Sequence, residues 1–275
     1  MIKDILLPLP SYPKTASPNA LRRAVDMARL LEAHLTGLVV ETAVPMPVGF
    51  HPFSTELETQ LKNRQNEVHA VAQAQLDAFE AEAKRAAIAR QGIIVKVSDG
   101  NTHPALDYAR MRDLTVVPFI AGSQSCVDLV QALAFESGRP VLVMPEGKQD
   151  TFSLDSIVVA WDASRASVRA IGDAMPLLRR AKDVRLVTVN KDKAMPDNAT
   201  GPELAAHLAR NDIWVTLENV DRGNDSVGKT LDKVAADADL LVMGAFGHSR
   251  IRDFFLGSAT AHVLKNPLRA TLLSH

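Results

Sequence analysis

Cysteine and long apolar runs are scarce in this sequence, and each shortage excludes a class of protein. Cys126 is the only cysteine among 275 residues, which excludes an intrachain disulfide and a cysteine-based zinc site. No apolar run approaches the roughly 18 residues that a membrane-spanning helix needs. No leader segment is recognised before the first apolar stretch at Ile5. We therefore predict a cytoplasmic protein without a membrane partner.

The chain also lacks an excess of either charge. It has 31 Lys and Arg residues against 32 Asp and Glu, a formal net charge of -1, so no overall field attracts a polyanion. No run of basic residues supplies a local patch, and we predict no nucleic-acid partner. The histidines are dispersed, without a pair one turn apart on one helix, and we predict no metal site.

Two stretches of the chain repeat one plan. Each opens with a short apolar strand, at residues 5–9 and 157–161, and continues with helices and further apolar strands as far as 144 and 273. Continuously apolar strands separated by helices are typical of parallel sheets covered on both faces. We predict an α/β fold of two repeated doubly wound domains, each with a parallel sheet of about five strands flanked by helices.

The predicted domain bounds are 1–148 and 153–275, and the boundary lies in the polar stretch from Glu146 to Ser153, which contains Gly147. The first domain carries an additional feature between residues 54 and 91, a long segment rich in Ala, Glu, Gln and Lys. We interpret this segment as a helical insertion, amphipathic and packed on its own sheet.

Glycines surround the end of the fourth predicted strand in the second half. Gly244 ends that strand, Gly247 follows, and Gly257 and Ser258 open the last helix. Glycine lets backbone N–H groups converge on an anion, and a helix start offers free N–H donors and the positive end of the helix dipole. The same features are also ordinary in loops and helix caps. Spacing alone leaves a polyphosphate site and a plain loop both open.

The spacing resembles the nucleotide-binding signature of the universal stress protein family: Gly, two residues, Gly, nine residues, then Gly and Ser or Thr. Residues 161–164 resemble the end of the family's first strand, and 238–244 resemble the entry to its fourth. Residues 269–273 depart from the usual last strand, which is rich in small residues, Pro and Val. The chain is thus similar to a tandem member of the family with an intact signature in its second domain.

The resemblance implies that the second domain holds ATP, ADP or AMP, with Mg²⁺ as an open addition. It implies that domains pair; the pair here is internal, and a homodimer and an unidentified protein partner stay open. Carried over by position, Asp162 faces the adenosine end, the Val189 backbone meets adenine and Met243 lines the pocket. Phosphates and ribose are assigned to Gly244, Gly247, Gly257, Ser258 and Ala259.

We expect a stress-response or signalling protein whose output is conformational or passes through a partner. No residue stands out as a catalytic base or acid, so hydrolysis of ATP is expected to be slow at most. A slow ATPase and a binder of some other small molecule, with a vestigial signature, are the alternatives.

The first half lacks the signature. Pro118 stands where the first glycine is expected, and proline has no N–H to donate. Pro10 occupies the position of Asp162, and the following loop is too short for the nine-residue spacer. We expect either a purely structural partner or a half that binds something apolar.

A second glycine-rich segment, residues 223–230, satisfies the phosphate-loop pattern Gly-x4-Gly-Lys-Thr. It follows the third strand of the repeat, whereas that motif normally follows a first strand. The next strand ends in Gly244 and not in a magnesium-binding Asp. We interpret the match as chance and Lys229 as a solvated helix residue.

Overall fold

Strands and helices alternate along most of the chain. The computed structural model describes residues 1–10, 15–41, 55–97, 104–147, 151–190, 201–245 and 258–275. Within them the strands are β1 (Asp4–Pro10), β2 (His34–Glu41), β3 (Arg90–Lys96), β4 (Leu114–Phe119), β5 (Val141–Pro145), β6 (Ser156–Ala160), β7 (Asp183–Asn190), β8 (Thr216–Asp221), β9 (Leu240–Gly244) and β10 (Ala270–Ser274). The helices are α1 (Pro18–Leu31), α2 (Thr55–Arg85), α3 (Pro104–Arg110), α4 (Gln124–Glu136), α5 (Arg165–Leu178), α6 (Gly201–Ala209), α7 (Val227–Val234) and α8 (Ser258–Lys265).

The ten strands form one sheet in the order β3-β2-β1-β4-β5-β10-β9-β6-β7-β8. Within each half all neighbouring strands are parallel, and β1 and β6 occupy the middle of their halves. This confirms the predicted fold of two doubly wound halves with five parallel strands each. The two parallel sheets are continuous with one another through the antiparallel pair β5–β10.

The two halves pair their central strands in the same register. β1 pairs with β4 at Ile5 and Leu114, and β6 pairs with β9 in the same way at Ile157 and Leu240. Positions in β1 and β4 therefore correspond to positions in β6 and β9 without a gap.

A local two-fold axis passes between the halves. In the β5–β10 pair Leu142 lies opposite Leu272, Val141 opposite Leu273, and Val143 opposite Thr271. The repeat makes Leu142 and Leu272 equivalent, so the pairing is symmetric about that position. Such self-complementary contact is the geometry of a two-fold dimer, here within one chain.

Each face of the sheet carries one layer of helices. α1, α2, α5 and α6 pack on one face, and α3, α4, α7 and α8 pack on the other. The strands are therefore buried from both sides, which explains their continuous apolar character.

α2 is one helix of 31 residues between β2 and β3, as predicted in extent. α6, which occupies the corresponding place between β7 and β8 with 9 residues, was not predicted from the sequence. Both halves therefore have a helix here, and α2 is its longer form. The domain bounds stay predictions; β5 ends at Pro145 and β6 begins at Ser156.

An aspartate before the fourth strand of each half ties down the start of the first strand. The Oδ2 atom of Asp113 accepts hydrogen bonds from the backbone N–H of Lys3 at 2.8 Å and of Asp4 at 3.1 Å. In the second half Oδ2 of Asp239 accepts from the N–H of Ser156 at 3.0 Å. The same residue type thus serves the same purpose twice.

We predict that Asp113→Ala and Asp239→Ala each lower the free energy of unfolding by about 1–3 kcal/mol, because a strand N–H loses its charged acceptor. Asp77→Ala is the control, since this exposed side chain accepts from Gln73 on the same helix, and a change within about 0.5 kcal/mol is expected. Urea unfolding measures all three. Equal effects at the three positions would contradict the role of the aspartates.

Candidate functional site

The strand order of the second half reverses between β6 and β9. The chain leaves β6 toward α5 on one face of the sheet and reaches β9 after α7 on the other. Ligands of open parallel sheets bind outside the carboxyl ends of the strands at such a switch point. Asp162 follows β6 and Gly244 ends β9, so both lie at this edge.

Asp162 is fixed by a turn between β6 and α5. Its Oδ1 atom accepts from the N–H of Ser164 at 3.1 Å, and Ser164 in turn caps α5 by accepting from the N–H of Ser167. Ala163 between them has a φ of 55°, the left-handed conformation that such turns use. The carboxylate is half-buried and held at the edge of the sheet.

Three further predicted residues border one apolar cluster, the layer between the sheet and α7 and α8. Met243 is buried within this cluster at 4% exposure, and Val189 and Ala259 are half-buried against it. Ser258, the first residue of α8, is exposed. Met243, Val189 and Ala259 thus lie on the face of the sheet that carries α7 and α8, whereas Asp162 leads from β6 to α5 on the opposite face. Gly247 and Gly257 lie outside the described residues.

Gly244 has a packing role that the sequence analysis did not anticipate. A Cβ atom at this position would lie 2.5 Å from the backbone N of Ser167 and 2.6 Å from the carbonyl carbon of Ala166. These are backbone atoms of the first turn of α5, which cannot move aside as a flexible side chain can. The end of β9 thus needs glycine for contact with α5, whatever it binds.

The second glycine-rich segment forms an ordinary capped helix start. Ser226 precedes α7, and its hydroxyl accepts from the N–H of Lys229 at 3.2 Å. Thr230 donates its hydroxyl to the Ser226 carbonyl at 3.1 Å. Gly228 lies against α8, where an added Cβ would be 2.6 Å from Cβ of His262. The groups that hold phosphate in a phosphate loop are here engaged in capping and packing.

Lys229 is paired with an acid of its own loop. Its ammonium lies 2.7 Å from Oδ1 of Asp225, and Lys233 lies 2.5 Å from Oδ2. Two hydrogen bonds lower the pKa of Asp225 to about 2, and the one from Lys229 has a larger effect than the one from Lys233. The carboxylate is therefore ionised at neutral pH. Its negative charge neutralises part of the positive charge with which Lys229 and Lys233 could attract a phosphate.

The first half presents a different edge at its own switch point. Counting along the paired strands from the common register, Pro10 occupies the position of Asp162 and Pro118 that of Gly244. Residues 120–123 alone separate β4 from α4, and Ser123 caps the helix by accepting from the N–H of Cys126. The loop is thus too short for the signature, as predicted.

Residues 154–267 match the family model of the universal stress protein family. Over these residues the second half of the chain is similar to a universal stress protein domain. None of the curated proteins compared with the sequence matches it. The match spans β6 to α8, so it includes the switch point and the whole glycine signature.

Solved structures extend the fold to both halves. A universal stress protein from Archaeoglobus fulgidus DSM 4304 is similar over 98% of this chain and 96% of its own, with a TM-score of 0.70 and 15% identity. A candidate universal stress protein from Pseudomonas aeruginosa UCBPP-PA14 covers 99% and 93%, with a TM-score of 0.60 and 14% identity. A functionally unknown protein from Pseudomonas aeruginosa PAO1 covers 99% and 92%, with a TM-score of 0.57 and 13% identity. At these identities the likeness shows the fold alone, and it shows that the first half folds like the universal stress protein domain.

No helix in the described ranges has the length and apolar character for crossing a membrane. Ser164 was not predicted as an anchor of the site, although the pattern Asp-x-Ser before a helix is a known turn and capping signal. The contact of Gly244 with α5 was not predicted either, and the sequence offers no local signal for it.

We predict that Gly244→Ala lowers the free energy of unfolding by about 1–3 kcal/mol without any ligand, because the new methyl group overlaps the α5 backbone. Gly172→Ala, inside α5 with no atom within 4 Å of the added Cβ, is the control and should raise stability by up to about 1 kcal/mol. Urea unfolding of both variants tests this. A Gly244→Ala protein as stable as the wild type would refute the packing role.

Proposed function

We propose that this protein binds an adenine nucleotide, with ATP as the leading ligand, at the carboxyl edge of β6 and β9 in the universal stress protein domain. The observation that carries the proposal is the coincidence of two features. Gly244, the first glycine of the signature, ends β9 at the switch point of the sheet, and the switch point is the place where open α/β sheets bind ligands.

The described residues suit the parts of a nucleotide. Asp162 is held at the end of β6, where its carboxylate can accept hydrogen bonds from ribose hydroxyls. Val189 is the neighbour on β7, and we assign its backbone to adenine. Met243 supplies the apolar floor. The first N–H groups of α8, with the exposed hydroxyl of Ser258, suit a phosphate at the positive end of the helix dipole.

Gly247, Gly257 and Ala259 complete the proposed phosphate and ribose contacts. Gly244 belongs to the site by position, and it also permits the close approach of α5 to the end of β9. ADP and AMP would use the same adenosine contacts. Mg²⁺, when bound with ATP, would neutralise part of the phosphate charge.

The proposed output is signalling in a stress response, through a conformational change or a protein partner. Since Asp162 is committed to a turn, we assign no catalytic residue, and hydrolysis of ATP would be slow at most. A binder of another small molecule is the competing function. Nucleotide released on denaturation of the purified protein, seen as absorbance at 260 nm, favours the proposal over that competitor.

We predict one nucleotide per chain, because Pro10 and Pro118 deprive the first half of the carboxylate and of the N–H donor. Titration calorimetry with MgATP measures the stoichiometry. Two equivalent sites per chain would contradict the assignment to the second half alone.

We predict that Gly247→Val and Gly257→Val abolish MgATP binding, because a branched side chain blocks the approach of phosphate to the backbone. Lys229→Ala is the matched test of the other glycine-rich segment and should leave affinity unchanged, since Lys229 is paired with Asp225. Calorimetry measures affinity, and circular dichroism checks that each variant is folded. Loss of binding in Lys229→Ala alone would move the site to residues 223–230.

A further inference from the structure

The first half of the chain contacts the proposed nucleotide site of the second half. Because β5 and β10 are antiparallel, the amino end of β5 lies beside the carboxyl end of β10. The end of α4 and the turn that leads into β5 therefore reach the same edge as Asp162 and Gly244. We call residues 135–138 of the first half the α4 corner.

One contact from the α4 corner runs through an aromatic pair. The ring of Phe135 meets the ring of His275 edge to face, with centroids 4.7 Å apart and an interplanar angle of 64°. Such pairs favour this geometry because the positive ring edge meets the negative ring face. Phe135 thereby restricts where the His275 ring can lie.

His275 is hydrogen-bonded to the residue that follows β9. Its Nδ1 atom lies 3.1 Å from the carbonyl oxygen of Ala245, and a carbonyl can only accept, so Nδ1 carries the proton of this hydrogen bond. The N–H of Ala245 donates to the carbonyl of Ser274 at 2.7 Å. Ala245 is fully buried and directly precedes the segment that holds Gly247 and Gly257.

A second contact reaches the other side of the same strand end. Arg169 of α5 donates from Nη2 to the carbonyl of Gly138 at 3.3 Å. The first turn of α5 is the backbone that abuts Gly244. The α4 corner thus contacts both elements that flank the exit of β9.

The equivalent arginine of the first half forms a hydrogen bond within its own half. The buried positions of α1 and α5 match at an offset of 146 residues, which makes Arg23 the counterpart of Arg169. Arg23 donates instead to the carbonyl of Pro145 in its own half, at 2.9 Å. The cross-contact of Arg169 joins the half without the signature to the half with it.

We infer that Phe135 and His275 are positioning residues of the nucleotide site: Phe135 holds the His275 ring, and His275 holds Ala245 where the glycine segment leaves β9. This inference rests on the proposed function. Under this inference the first half does more than pair with the edge strand β10 of the second half. Although it lacks the glycine signature, it positions the end of β9 at the nucleotide site of the second half.

The experiment compares Phe135→Leu and His275→Ala with the wild type by two measurements. The backbone amide signals of Gly244 and Ala245 in NMR spectra of the nucleotide-free protein report the position of the strand end. Titration calorimetry reports the affinity for MgATP. Val127→Ala is the control, since Val127 is a half-buried residue of α4 about 12 Å along the helix from Phe135.

Both test variants should shift the two amide signals and weaken MgATP binding about two- to tenfold, the range that corresponds to one aromatic pair. Val127→Ala should do neither. His275→Phe keeps a ring against Phe135 but cannot donate to Ala245, and should weaken binding as His275→Ala does. The double variant Phe135→Leu/His275→Ala should be no weaker than His275→Ala, because the two residues act in series.

Unshifted amides in Phe135→Leu would overturn the inference, and so would shifted amides with an unchanged affinity. A wild-type protein that fails to bind MgATP contradicts the proposed function, and with it the nucleotide part of the inference. The amide shifts do not depend on ligand, so they distinguish that failure from a failure of the contact itself.

Discussion

The antiparallel pairing of β5 with β10 is the contact on which the rest of this structure depends. It joins two parallel sheets about a local two-fold axis at Leu142 and Leu272, and it leaves β3 and β8 as the edge strands. Because the axis reverses the strand direction, each half presents its helix ends to the ligand edge of the other. The first half, which lacks the signature, can therefore contact and position the ligand edge of the second half.

The glycine signature serves the fold as well as the proposed ligand. Gly244 permits the first turn of α5 to touch the end of β9, and Ser164, which caps that turn, fixes Asp162. Substitution of Gly244 would disturb packing and binding together. Gly247 and Gly257 are for this reason the better probes of nucleotide contact.

Much of the fold was predictable because the strands are buried on both faces and read as continuous apolar runs. β10 formed where residues 269–273 depart from the family pattern, since they remain apolar enough to be buried. α6 was missed because only Leu208 of its residues is buried, which leaves little apolar periodicity. The site was predictable from glycine spacing and from resemblance. The approach of α5 to Gly244 and of Phe135 to His275 was not, because both depend on contacts between distant parts of the chain.

The central claim is that the second half alone holds the nucleotide, at the end of β6 and β9. A crystal structure of the protein with MgATP tests it most directly. The account predicts one ATP per chain, with its ribose at Asp162 and its phosphates at Ser258 and the start of α8. Nucleotide bound at residues 223–230, or between Pro10 and Pro118 in the first half, would contradict it.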